Sequence, residues 1–362
     1  MQPTLEYQPD FARIREAWNA YWAGEMINRP LVVANVPKSG VYKNWVAEAS
    51  YDLVTGNVDS YLNSVDKMLE ATWYMAESVP SFAPDFGPDQ VAAFLGGNIE
   101  VSPDSKSTSW VDPIVDEDEW GKHFPLRIDP NNEWHQRFLS LCKRMREHAA
   151  GRYVVGTLDL HTNADALSAL RGTAGLSMDL YDCPEEIHQA MKNIRALYPD
   201  LFNTALAACG NDASTGMTSW IQFWCEKPYA VVQCDFLAMI GPEQAREFIL
   251  PAIEEEAQFL DHCVFHLDGP DALRHIDDIL AIDAIDVVQW VSGAGQKPMW
   301  QWTEVLQKIQ AAGKGIQVWD ITCEQVKQVH KELKPEGVVY CPQGMESRSE
   351  VDDLCEWLEQ NT

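Results

Sequence analysis

His262-Cys263-Val264-Phe265-His266-Leu267-Asp268-Gly269, then residues 270–281, then Ile285-Asp286-Val287-Val288-Gln289-Trp290, is the stretch that decides the fold. Two β-branched, apolar runs flank a segment in which Leu273, Ile276 and Leu280 recur at helical spacing. Continuous apolar strands joined by an amphipathic helix indicate parallel strands buried on both faces. The same alternation extends outward from this unit. Further strand candidates are 153–158, 229–235, 315–319 and 337–341. Helices are expected at 303–312, closed by Gly313, and at 322–333, where Thr322 and Gln325 form a capping-box pattern.

The N-terminal part supplies a helix over 10–24, with Phe11, Ile14, Trp18 and Trp22 in one stripe and Asp10 as its expected N-cap, and a strand at 31–36. Helices are expected at 63–77 and 134–149, and an eighth strand near 77–84. Residues 80–130, rich in Pro, Gly, Asp and Ser, read as an excursion holding a hairpin. Residues 209–228, with Trp220-Ile221-Gln222-Phe223-Trp224, read as a second insertion. The expected architecture is therefore α/β: a single (β/α)8 TIM-type barrel spanning 1–362 as one domain, with an N-terminal helix and two insertions. A doubly wound open sheet is the alternative, but no glycine-rich phosphate loop follows any strand.

Composition narrows the partners. The chain has 362 residues, is 46% hydrophobic and carries a net charge of −28. So acidic a surface repels nucleic-acid backbones and anionic lipid, so neither nucleic acid nor membrane is an expected partner. The start, Met1-Gln2-Pro3-Thr4-Leu5-Glu6, lacks a basic segment followed by an apolar one, so no signal peptide is expected. Nine scattered cysteines without a CxxC pair fit reduced thiols and a cytoplasmic location.

In a barrel of this type the active site forms at the C-terminal strand ends. Those ends carry Asp159 and His161, Asp235, His266 and Asp268, Trp290, Trp319, and Cys341 with Gln343. On an extended segment His266 and Asp268 point to one side. They can be a hydrogen-bonded pair, or, with Cys341, a three-ligand zinc site with an open position. Cys341 is otherwise a buried thiol. Asp235 either caps the following turn or orients a substrate. Asp159 and His161 are an acid/base pair or polar loop groups. Trp290 and Trp319 could clamp a flat ring or a methylated amine, with Trp220 and Gln343 also facing substrate, or they simply fill the barrel mouth. Glu254-Glu255-Glu256 reads as a solvated helix face and Asp116-Glu117-Asp118-Glu119 as an exposed loop.

Asp235-Phe236-Leu237-Ala238-Met239-Ile240-Gly241-Pro242-Glu243 followed by Phe248-Ile249-Leu250-Pro251, then His266-Leu267-Asp268-Gly269, resembles the uroporphyrinogen decarboxylase superfamily. Asp179-Leu180-Tyr181-Asp182-Cys183-Pro184-Glu185 resembles an upstream helix junction of that family, and the likeness covers roughly 150–345. True decarboxylases hold porphyrin carboxylates with an arginine-rich N-terminal segment, whereas residues 32–42 here contain no Arg. The other branch consists of cobamide-linked methyltransferases that bind zinc through His-x-Cys and a distant Cys. The resemblance puts His266 and Cys341 on the first and third ligand positions, with Asp268 where that branch has Cys. It implies a zinc-dependent transfer of a methyl group from a small methoxy or methylated-amine substrate to a corrinoid carried by a separate protein, since this chain has no Asp-x-His-x-x-Gly motif. A metal-independent decarboxylase or lyase on the same barrel, and a non-catalytic small-molecule binder, are the alternatives. A homodimer is left open.

Overall fold

The structure, a computed structural model, describes residues 4–102, 109–117 and 119–362. Met1, Gln2 and Pro3 of the expected leaderless start, and Asp118 of the acidic run, lie outside the described residues. The strands, in chain order, are β1 (Leu31–Pro37), β2 (Thr72–Ala76), β3 (Ser81–Phe82), β4 (Ile99–Glu100), β5 (Trp110–Val111), β6 (Val154–Val155), β7 (Met217–Thr218), β8 (Trp224–Cys225), β9 (Tyr229–Gln233), β10 (His262–Asp268), β11 (Val287–Val291), β12 (Gly315–Ile321) and β13 (Val338–Pro342). Seven of them form one sheet in the order β2-β1-β13-β12-β11-β10-β9. All neighbours run parallel except β2, which is antiparallel to β1.

The alternation that organises this sheet is the expected one. Helices Leu250–Phe259, Thr303–Ala311 and Cys323–Val329 separate successive parallel strands. The last begins with the Thr322–Gln325 capping box. Both expected insertions carry hairpins, β4 with β5 and β7 with β8.

Several boundaries differ from the sequence reading. The helix expected over 63–77 is Val58–Ala71, and the chain then turns into β2, where Trp73 and Tyr74 prefer a half-buried pleat. The strand expected near 77–84 shrinks to β3, because Pro80 and Pro84 bracket it and cannot donate to a ladder. β3 pairs with β6 as a separate parallel couple. Hydrogen bonding is therefore interrupted between β2 and β3 and between β6 and β9, and the closed eight-strand ladder expected from sequence is not continuous. Residues 270–281 start as a 3-10 turn, Pro270–His275, before the α-helical Ile276–Leu280. Asp10 makes no side-chain cap bond to the first helix.

That first helix, Phe11–Trp22, lies at the N-terminal ends of the strands. Trp22 stacks on His262, the first residue of β10, with ring centroids 4.7 Å apart. A Cβ on Gly315, the first residue of β12, would lie 2.7 Å from the Tyr21 hydroxyl, so this close approach requires glycine. The aromatic face of the helix thus fills one end of the sheet, away from the strand C-termini. Among the described residues no helix is long and apolar enough to cross a membrane.

A buried carboxylate locks the helix, β1 and β2 together. Glu77, 2% exposed, accepts from Arg29 Nη1 at 2.8 Å and Nη2 at 3.1 Å, from Arg13 Nη1 at 2.9 Å and from the Val32 amide at 3.0 Å. Burial alone would raise its pKa, but Arg29, the Val32 amide and Arg13 hold it below the ordinary carboxylate value. Neutralising it strands Arg29, which is itself buried. Glu77→Gln is expected to lower unfolding stability by about 3 kcal/mol in urea titration. In the unsubstituted protein the same contribution is lost as pH falls through the depressed pKa.

Candidate functional site

The C-terminal ends of the parallel strands surround a cavity of about 540 Å³. Its walls include Asn35 and Pro37 from β1, His266 from β10, Gln289 and Val291 from β11, Gln317 and Trp319 from β12, and Cys341 from β13. These are alternate residues of each strand, as expected of one face of a pleat. Parallel pairing sets Gln233, His266 and Gln289 opposite one another, and the next strand adds Gln317. Each polar group on this level finds a partner. His266 Nδ1 lies 2.6 Å from Gln289 Oε1, Gln289 Nε2 donates to Gln317 Oε1 at 2.5 Å, and Gln317 Nε2 donates to Cys341 Sγ at 3.3 Å. On the other side Gln233 Nε2 donates to Asp159 Oδ1 at 2.5 Å.

Two groups of potential metal ligands share Asp235. His161, Asp165 and Asp235 form one, and Asp235, His266 and Asp268 the other, with the ligand atoms in each within 4.8 Å of one another. The first group already contains its own cation. His161 Nε2 lies 3.3 Å from Asp159 Oδ2 and Nδ1 lies 3.3 Å from Asp165 Oδ2. Burial disfavours the charged imidazole, yet Asp159 and Asp165 outweigh it and raise its pKa well above the ordinary value. Asp165 is further satisfied by the backbone amides of Asp235 and Phe236 at 3.0 and 2.9 Å.

The second group has no such compensation. Asp268 Oδ1 is buried without a hydrogen-bond partner among the described residues. Asp235 opens to solvent in a recess otherwise walled by protein, where crowding and then the Asp165 charge push its pKa up to about 6. One imidazole and two carboxylates, one of them with an orphaned buried oxygen, are a donor set that fits a divalent cation. Cys341, expected from the resemblance as the third ligand, stands outside this group. It lies at the far end of the hydrogen-bonded chain from His266, and burial pushes its thiol up to about 12.

The residues expected to meet substrate divide likewise. Trp220, Trp319 and Gln343 line the cavity, and Trp220 sets its ring edge-to-face on His266 at 5.1 Å. Trp290 does not line it. It is fully buried on the opposite face of β11 and packs on Trp302 at 5.4 Å, because its neighbour Gln289 takes the inward position. The expected Trp290–Trp319 clamp therefore does not form, although Trp319 Nε1 reaches the Trp290 carbonyl at 3.3 Å. Sequence reasoning missed Asp165, Gln289 and Gln317. A glutamine in the middle of an otherwise apolar strand, seen in Gln289 and Gln317, was the available signal.

No family model and no curated protein matches this chain. Among solved structures it is similar to a methyltransferase from Methanosarcina mazei, with a TM-score of 0.60 and 10% sequence identity over 96% of this chain and 98% of that one. At that identity the likeness is one of fold.

One further correction bears on the site. Glu254 and Glu255 are solvated, but Glu256, expected with them, is 2% exposed and points inward. It accepts from Thr162 Oγ1 at 2.7 Å and from Asn163 Nδ2 at 3.2 Å, and Asn163 Nδ2 also donates to the Gln233 carbonyl at 3.0 Å. Burial is the main cause that pushes its pKa from 4.5 up to about 8. With the folded-state value above the unfolded one, stability falls as pH rises from about 4.5 to about 8 and levels off beyond. Glu256→Gln, which mimics the protonated acid, is expected to flatten that slope and leave the melting temperature at neutral pH equal or higher. Thermal melts across the window check it, and a retained slope would contradict the assignment.

Proposed function

We propose that this chain is a metal-dependent methyltransferase of the uroporphyrinogen decarboxylase superfamily, on a (β/α)8 barrel whose eight strands are β1, β3, β6 and β9 to β13. The barrel reading draws on bridges across the gap between β6 and β9. The Thr157 amide donates to the Thr218 carbonyl and the Tyr229 amide donates to Met217 Sδ, so β7 links the two. The likeness to the Methanosarcina mazei methyltransferase supports the class.

The observation that carries the metal is the orphaned Asp268 Oδ1 beside His266 and Asp235. In this reading Asp235, His266 and Asp268 hold zinc, and Asp235 takes the place expected of Cys341. Bound zinc supplies Lewis acidity at the heteroatom that carries the methyl group. The residues of the chain do the rest. Trp220, Trp319 and Tyr42 wall the substrate, and the amides of Asn35, Gln289 and Gln317 offer hydrogen bonds. Among the described residues no Lys or Arg lines this cavity, so a methoxy compound or a methylated amine suits it better than an anion. His161, kept protonated between Asp159 and Asp165, stands one carboxylate away from the metal group and can donate a proton to a departing oxygen or nitrogen. The methyl acceptor in this reading is a corrinoid on a separate protein, which follows the resemblance.

The same imidazolium favours a second reading, a metal-independent lyase that uses His161 as general acid. Metal analysis separates the two. The purified protein, loaded with zinc and dialysed, is expected to retain about one zinc per chain. Asp268→Asn and His266→Ala should lose it, and Cys341→Ser, which removes the sulfur but keeps an acceptor for Gln317, should keep it. Retention below about 0.2 zinc per chain in the unsubstituted protein, with turnover that survives chelation, would overturn the metal reading in favour of the lyase.

A further inference from the structure

The hydrogen-bonded chain that leaves His266 has a direction, and the direction selects a tautomer. Gln289 already donates from Nε2 to Gln317 Oε1, so it presents Oε1, an acceptor, to His266 Nδ1. Gln317 is oriented in turn because its Nε2 donates to Cys341 Sγ and its Oε1 receives Gln289. The sulfur at the end accepts. Followed back along the bonds as they run, each amide turns its NH2 toward Cys341 and its oxygen toward His266, and the last consequence falls on His266. Its Nδ1 must carry the proton, so Nε2 keeps its lone pair. Gln289 and Gln317 are 5% and 4% exposed, so water does not compete for these bonds from behind.

We infer that Gln289 is a positioning residue that holds His266 in the Nδ1–H tautomer, with Nε2 free as a ligand or base, and that Gln317 and Cys341 hold Gln289 in the orientation this requires. The tautomer stands on the hydrogen bonds alone. Its consequence for metal affinity rests on the zinc reading above. A hydrogen bond behind a ligating imidazole typically changes metal affinity by about 10- to 100-fold when it is removed. The arrangement also explains why two glutamines lie inside strands that are otherwise apolar. An aliphatic residue at either position would be cheaper to bury, but it would leave the imidazole free to rotate and exchange protons between its nitrogens.

Nitrogen-15 NMR of histidine-labelled, metal-free protein at mildly alkaline pH tests this. The His266 signals are assigned by their loss in His266→Asn. The expected spectrum shows a protonated-type Nδ1 and an unprotonated-type Nε2. A Gln289→Met variant, of similar volume but without the acceptor, should show the two tautomers mixed and bind zinc about 10- to 100-fold more weakly. Gln289→Glu, which restores an acceptor, should recover the single tautomer. A His266 that is Nε2–H in the unsubstituted protein, or unchanged by Gln289→Met, overturns the inference without reference to metal. The expected tautomer in a protein that binds no zinc sustains the inference and fails the metal reading alone.

Discussion

Parallel strands in register carry their inward residues at common levels, and the whole site depends on that geometry. The pairing of β9, β10 and β11 brings Gln233, His266 and Gln289 to one height inside the sheet, and Gln317 and Cys341 continue the belt by hydrogen bonds. A buried amide or imidazole without a partner costs about 1–3 kcal/mol. With several at one level the cost becomes small only because each satisfies the next. A shift of any strand by one residue would turn its polar member outward and break the belt. The C-terminal end of the sheet is thus held in register by polar groups as well as by the apolar core.

Charge is managed unevenly around this belt. Glu77 is balanced by two arginines, and Asp165 by His161 and two backbone amides. Glu256 is relieved by a raised pKa rather than by a countercharge. Asp268 has none of these remedies for Oδ1, and Asp235 shares its recess with Asp165 and feels the Asp268 charge. The unpartnered Asp268 oxygen beside His266 is where an external cation would be stabilised most.

The sequence made some of this legible and hid the rest for identifiable reasons. Alternating apolar runs and amphipathic helices announced the parallel sheet, since burial on both faces leaves a compositional trace. His266 and Asp268 were readable as a pair because residues two apart on a strand share a face. The same rule, applied to the neighbours Gln289 and Trp290, would have turned Trp290 away from the cavity, but the size of the ring drew the reading inward. Glu256 was hidden because three consecutive glutamates on a helix look solvated, whereas helical rotation carries the third into the interior. Asp165 was hidden because it lies in the first turn of the helix Asn163–Arg171, where an acidic residue reads as ordinary helix-terminus charge.

What the sequence by itself determined is therefore the class of architecture and the residues at the ends of its strands, because local periodicity and polarity encode which face is buried. Which of those residues act together was decided only by tertiary structure. Asp235 and Cys341 both follow apolar strands and look equivalent in the linear chain. Strand order places Asp235 beside His266 and puts two glutamines between His266 and Cys341, because β9 is hydrogen-bonded directly to β10 while β13 is three strands away.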